Sequence, residues 1–173
     1  KYHQQTDVAK TIRESKAAGM KVLLDLHYSD NWADPHKQET PESWKGLSLP
    51  VLSDSIYQYT FKYLEYLKAQ NLVPEYLQIG NENNYGMCHP AGKINNNNFT
   101  NFCTLLAAGS KAVRDFSVNS TIKPKVIIHM AQFQEAKWWI NGVLNSGVNV
   151  DYDILGISHY YKWSEVNDWS SVT

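Results

Sequence analysis

Tyr76-Leu77-Gln78-Ile79-Gly80-Asn81-Glu82 is the stretch whose reading decides the fold. A short apolar run ends on a glycine, an amide and a carboxylic acid. That pattern predicts a strand that carries Asn81 and Glu82 to the rim of a sheet. Three other runs behave alike: residues 22–28, 125–129 and 152–160 begin apolar and turn polar at their ends, on His27-Tyr28, His129 and His159-Tyr160. Short apolar runs of this kind fit buried parallel strands.

Helical spacing fills the gaps between these runs. Residues 7–18 place Val8, Ile12 and Ala17 among charges before Gly19 ends the pattern. Residues 52–70 align Ile56, Tyr59, Tyr63, Leu64 and Leu67, and residues 100–116 align Cys103, Leu106, Ala107, Val113 and Phe116. A short helix is expected over 138–144. Polar loops follow the first two strands, and the run Asn95–Asn98 reads as a loop and helix cap. Regular alternation predicts right-handed crossovers and a parallel sheet, in which the polar strand ends form the ligand-binding edge. It leaves open whether the sheet is a barrel or doubly wound. Neither a dinucleotide fingerprint nor a phosphate-cradling loop is present.

Composition narrows the class. A chain of 173 residues with 43% hydrophobic content can bury one sizeable core, so a single soluble domain is expected. A net charge of −1 gives no footprint for nucleic acid or an anionic membrane. No apolar stretch approaches the roughly 20 residues of a membrane span. The start, Lys1-Tyr2-His3-Gln4-Gln5, has no initiator Met or signal-like pattern, and Trp169-Ser170-Ser171-Val172-Thr173 ends as abruptly. Both point to a processed form or a piece of a longer chain. Cys88 and Cys103 have no metal-ligand spacing, and two cysteines leave their pairing open.

Aromatics say more than charge. There are six Trp and eleven Tyr, and Trp32, Trp44, Trp138, Trp139, Trp163 and Trp169 have polar or charged neighbours in sequence. Flat rings on a wet surface suit sugars, whose C–H faces stack on them; core packing is the competing reading for each. Two glycosylation sequons, at Asn98 and Asn119, would be usable in a eukaryotic secretory pathway. Cutting a glycosidic bond takes one carboxyl to protonate the leaving oxygen and a second across the sugar. Glu82 is a candidate for the first. The sequence offers none for the second.

Leu24-Asp25-Leu26-His27-Tyr28-Ser29-Asp30-Asn31-Trp32-Ala33-Asp34-Pro35 resembles the signature of the arabinogalactan endo-β-1,4-galactanases, retaining glycoside hydrolases of family 53. Ile79-Gly80-Asn81-Glu82 with Gly86-Met87 and Pro90 is similar to that family's acid/base strand, and residues 127–129 and 152–158 resemble two later strands. The resemblance implies an α/β fold, a partial (β/α)8 barrel running from about the second helix through the sixth strand. It also implies that the nucleophile, a Glu on the seventh strand, lies outside this chain. Asn83 departs from the family's usual aliphatic residue, His159 from an aromatic, and Tyr161 from proline.

The roles follow from the resemblance. Glu82 would be the general acid and base. Asn81 would bind the hydroxyl beside the reacting carbon. His27, Tyr28, Asp30, Trp32 and Asp34 would line the sugar groove, with turn chemistry the rival for Asp34-Pro35. His129 and Tyr160 would orient the nucleophile or the sugar. His27, His129 and His159 come from separate strands without further acidic ligands, so neither a metal nor a cofactor is expected. The implied partner is a pectic β-1,4-galactan, met outside the cell by a monomeric full-length enzyme. The alternatives are another retaining barrel glycosidase, such as a mannanase or glucanase, and a non-catalytic sugar-binding barrel.

Overall fold

The computed structural model describes residues 4–163, which leaves Trp169 outside the described residues. Four helices, α1 (Gln5–Ala17), α2 (Leu49–Lys68), α3 (Thr100–Val118) and α4 (Ala136–Leu144), alternate with four main strands. These are β1 (Leu23–Leu26), β2 (Tyr76–Ile79), β5 (Lys125–Ala131) and β6 (Ile154–Ser158). The loop after β2, expected to be irregular, contains a two-stranded antiparallel ribbon, β3 (Gly86–Met87) with β4 (Gly92–Lys93). Met87 and Cys88 are buried.

The strand order is β1-β2-β5-β6, and every neighbouring pair is parallel. This order answers the question that alternation left open. A doubly wound sheet reverses direction at a switch point, whereas here each crossover advances the same way. Right-handed crossovers that never reverse place their helices on one face, which is the winding of a (β/α)8 barrel. The described chain is therefore an arc of such a barrel.

Register explains how the two faces differ. Leu24 pairs with Leu77 and Leu77 with Val126, and all three are buried beneath the helices. One position on, Asp25 pairs with Gln78, Gln78 with Ile127 and Ile127 with Ile154. These side chains point to the opposite, interior face, because the strand period is two. On the outer face α2 and α3 pack against each other. Gly109 lets α3 approach β2, since a Cβ there would lie 2.7 Å from Ile79 Cγ2.

The strand starts are joined by a repeated device. Glu75, just before β2, accepts the N–H of Val22 at 2.8 Å and the Lys16 ammonium at 2.5 Å. Its own N–H returns to the Val22 carbonyl at 3.1 Å. Asp153, just before β6, accepts the N–H of Val126 at 2.7 Å and Arg114 Nη1 at 2.9 Å, and its N–H returns to the Val126 carbonyl at 2.9 Å. Each carboxylate thus ties its strand to the preceding strand and to the helix before that one. Arg114 also grips Asp151 through Nε at 2.8 Å and Nη2 at 2.9 Å.

Removing the Asp153 carboxylate leaves the Val126 N–H without its partner and Arg114 with Asp151 alone. Asp153→Ala is expected to destabilise the protein by about 1–3 kcal/mol, the cost of leaving a buried donor unsatisfied. The measurement is the urea midpoint; an unchanged midpoint would discard the tie as a stabilising element. Burial pushes the Glu75 carboxyl up, but Lys16 and the Val22 N–H outweigh it and hold the pKa below its ordinary value of 4.5. A lowered folded-state pKa gives stability that is complete above 4.5 and lost as pH falls through the folded value. Glu75→Gln should therefore flatten the acid side of the stability–pH curve.

Candidate functional site

The polar strand ends gather as the sequence predicts, but in two groups. One group surrounds Glu82. Beyond Ile79 the chain leaves β2 through Gly80, at φ +76°, and reaches Glu82, 7% exposed. Tyr160, beyond the end of β6, donates its hydroxyl to Glu82 Oε1 at 3.0 Å. That bond, with some burial, pushes the Tyr160 pKa up. Tyr160 therefore touches the acid itself. Asn81 is 9% exposed; its Nδ2 donates to the Ala33 carbonyl at 2.8 Å, which ties the rim of β2 to the loop after β1.

His129, near the end of β5, is also turned to Glu82. Its Nδ1 accepts the Glu82 N–H at 3.0 Å. A nitrogen that accepts carries no proton, so the ring is the neutral tautomer protonated on Nε2. Nε2 then donates to Ser158 Oγ on β6 at 3.0 Å. Burial lowers the His129 pKa and favours that neutral form; Asp25 and Glu82 pull the other way. Gly156 makes room for the ring, since a Cβ there would lie 3.2 Å from His129 Cδ2.

The second group follows β1. His27 donates from Nε2 to Asp25 Oδ2 at 3.0 Å, while its Nδ1 accepts the Ala33 N–H at 3.2 Å. Its ring meets Trp32 edge-on, with centroids 5.1 Å apart. Trp32 is 71% exposed and available for stacking. A groove of about 500 Å³ takes in Asp25, His27, Asp30, Trp32, Trp44 and Tyr59. Glu82 is absent from its lining, so this groove does not contain the carboxyl. It flanks β1, at one end of the strand order.

Three of the β1-loop residues expected to line the groove are also engaged within the protein. Tyr28 lends the groove little of its side chain, because its hydroxyl is buried against Thr60 Oγ1 of α2 at 2.8 Å. Burial drives its pKa far up. Asp34 serves the turn: its Oδ1 accepts the N–H groups of His36 and Lys37 at 2.9 and 3.0 Å. Asp30 lines the groove, yet its Oδ2 already accepts the Glu42 N–H at 2.7 Å.

The structure also places residues whose roles the sequence left open. Trp139 is fully buried and donates Nε1 to the Asn83 carbonyl at 2.9 Å, so it belongs to the core. Asn83, the departure beside Glu82, is buried as well; its Nδ2 donates to the Ile79 carbonyl at 3.0 Å and its position is structural. Both cysteines are free and buried. Among the described residues no group of three or more His, Cys, Asp or Glu is placed to hold a metal ion.

Sequence reading missed the amides that organise the site. Gln38 is 2% exposed, and its Nε2 reaches the carbonyls of Asp34 at 2.9 Å, Asn81 at 2.8 Å and Glu82 at 3.3 Å. Gln78 Nε2 reaches the Gly80 carbonyl at 3.1 Å and His129 Nδ1 at 3.2 Å. Asn84 exchanges both its amide bonds with the backbone of Ala131 at 2.7 Å. It also reaches Glu135, to which Tyr85 donates its hydroxyl at 3.0 Å. Gln78 alone left a signal, as a polar residue inside an apolar strand.

Comparison with known proteins adds the family. The profile described as Glycosyl hydrolase family 53 matches residues 1–171. An arabinogalactan endo-beta-1,4-galactanase from Cellvibrio japonicus is 40% identical over 95% of this chain and 44% of its own length. A probable arabinogalactan endo-beta-1,4-galactanase A from Aspergillus fumigatus is 35% identical over 95% of this chain and 47% of its own. Among solved structures, the family 53 catalytic domain of Ignisphaera aggregans superposes with a TM-score of 0.82 at 38% identity, covering 93% of this chain and 43% of that one. A structure from work on two fungal beta-1,4-galactanases gives 0.80 at 30% identity, covering 90% and 47%. This chain spans about half the length of the curated relatives it matches. With a barrel arc, an Asn-Glu pair on the rim of β2 and a profile match across nearly its whole length, the chain belongs to glycosyl hydrolase family 53.

Proposed function

We propose that this chain supplies the acid/base part of an endo-acting hydrolase that cuts internal β-1,4-galactosidic bonds in pectic arabinogalactan, with retention of configuration. The observation that carries the reading is Glu82: a largely buried carboxyl at the rim of β2, hydrogen-bonded by Tyr160. The names of the family 53 relatives supply the substrate. In the first step Glu82 gives its proton to the departing sugar oxygen while a second carboxylate attacks the anomeric carbon. In the second step Glu82 takes a proton from water, which releases the sugar. The attacking carboxylate, a Glu of the seventh strand, lies outside these residues. Retention calls for it to stand about 5–5.5 Å from Glu82 in the whole protein.

Asn81 holds the hydroxyl next to the reacting carbon, a contact that strengthens towards the transition state. Trp32 offers a stacking face and Asp30 an acceptor in the β1 groove. A polysaccharide does not cross a membrane unaided, which supports an enzyme that works outside the cell.

Glu82→Ala in the full-length protein tests the proton donor. Loss of general acid catalysis should lower kcat/KM on β-1,4-galactan by about 10²- to 10⁴-fold. A dinitrophenyl β-1,4-galactobioside, whose leaving group needs no proton, should lose far less. Equal losses on both substrates would count against the assignment, and faster cleavage of mannan or β-glucan than of galactan would replace the substrate. Residues 1–173 by themselves are expected to release no reducing ends from galactan; turnover that Glu82→Gln abolishes would contradict a nucleophile lying elsewhere.

A further inference from the structure

An acid transfers a proton only if its carboxyl is aimed, and Glu82 is aimed by an uncommon backbone conformation. Its φ is +49°, in the left-handed region that residues with a Cβ seldom occupy. Such a conformation persists where the surroundings over-determine it. At Glu82 the surroundings are two side chains on opposite sides of one peptide unit. The N–H of that unit goes to His129 Nδ1 at 3.0 Å. Its carbonyl, that of Asn81, receives Gln38 Nε2 at 2.8 Å, and the same nitrogen lies 3.3 Å from the Glu82 carbonyl.

Both gripping groups are themselves fixed. Gln38 is 2% exposed, its Nε2 also bonds the Asp34 carbonyl at 2.9 Å, and its own carbonyl accepts the His89 N–H at 2.6 Å. His129 is 7% exposed and anchored to Ser158 through Nε2. Gln38 spends Nε2 on backbone carbonyls and His129 spends both ring nitrogens on Glu82 and Ser158, so these groups are committed within the protein.

We propose that Gln38 and His129 are positioning residues for the acid/base: they clamp the Asn81–Glu82 peptide from both sides and hold Glu82 in the conformation that aims its carboxyl. This rests on the reading of Glu82 as proton donor. The clamp joins three strands, since Gln38 comes from the loop after β1, Glu82 follows β2 and His129 lies on β5.

The test uses the full-length enzyme, assayed below the melting temperature of each variant, on β-1,4-galactan and on dinitrophenyl β-1,4-galactobioside. Gln38→Leu should lower kcat/KM on galactan by about 10- to 100-fold and on the activated substrate by no more than about threefold, because only the first needs the proton. His129→Phe should act likewise. His129→Asn, whose Oδ1 can replace Nδ1 as acceptor, should recover most of the loss. Introduced into Glu82→Ala, Gln38→Leu should add nothing, the signature of two residues acting through one group.

Equal losses on the two substrates, a full further loss on top of Glu82→Ala, or a lowered melting temperature with normal kcat/KM would each overturn the clamp. Impaired Glu82→Ala beside unimpaired Gln38→Leu removes the clamp alone; unimpaired Glu82→Ala removes the acid/base reading and the clamp with it. If Gln38→Leu does not fold, the contrast between His129→Phe and His129→Asn carries the same readouts.

Discussion

Hydrogen bonding of one peptide unit, between Asn81 and Glu82, decides whether this rim can present an acid. β2 must end early enough for Glu82 to clear the sheet, yet the chain must not drift into a solvated loop. Gly80 turns it at φ +76°, and Glu82 follows at φ +49°. Buried backbone groups must find partners wherever the chain goes, and Gln38 and His129 provide them on the two sides of that peptide. The bonds that satisfy the buried backbone therefore also set the direction of the carboxyl. Burial and aim come from the same contacts.

The two ends of the strands are built from different chemistry. At the starts, Glu75 and Asp153 each take a strand N–H and a helix cation, so the ties are charged and partly exposed. At the finishes the bonds to the Asn81–Glu82 segment come mainly from neutral, buried groups, the amides of Gln38 and Gln78 and an uncharged imidazole, with the carboxylates of Asp25 and Glu135 in the ties further out. A fixed charge near a general acid would bias its proton affinity through a medium of low dielectric, whereas amides hold geometry with little field. The left-handed residues Tyr28, Glu82 and Gln132 all lie just beyond strand finishes, on the same rim.

Much of this could be read along the chain. Tyr76–Ile79 was legible as a strand to the residue, and the four helices matched their apolar spacing within a few positions. Local sequence carries such information because side-chain period fixes which face is buried. Tyr28 and Trp139 were harder. An aromatic beside polar residues looks the same whether its ring turns to solvent or to Thr60, and the packing of α2 decides which. The ribbon of β3 and β4 was missed because two-residue strands have too few positions for a period to appear. Gln38 gave no sign at all, since a glutamine in a polar loop is ordinary until the loop folds over Asn81.

By itself, the sequence determined the alternation of elements, the parallel sheet and the rim on which polar residues collect, and it singled out Glu82 as the carboxyl proposed as the acid. These depend on short-range spacing and on residue chemistry, which survive without coordinates. Only the tertiary structure decided that the crossovers never reverse, that Asn83, Tyr28 and Trp139 face inward, and that amides and a neutral imidazole grip the acid's peptide. Most of those outcomes rest on contacts between residues far apart in sequence, such as Tyr28 with Thr60, Gln38 with Asn81 and Glu82 with His129. Spacing along a chain cannot encode the direction of an approach that exists only after the strands have paired.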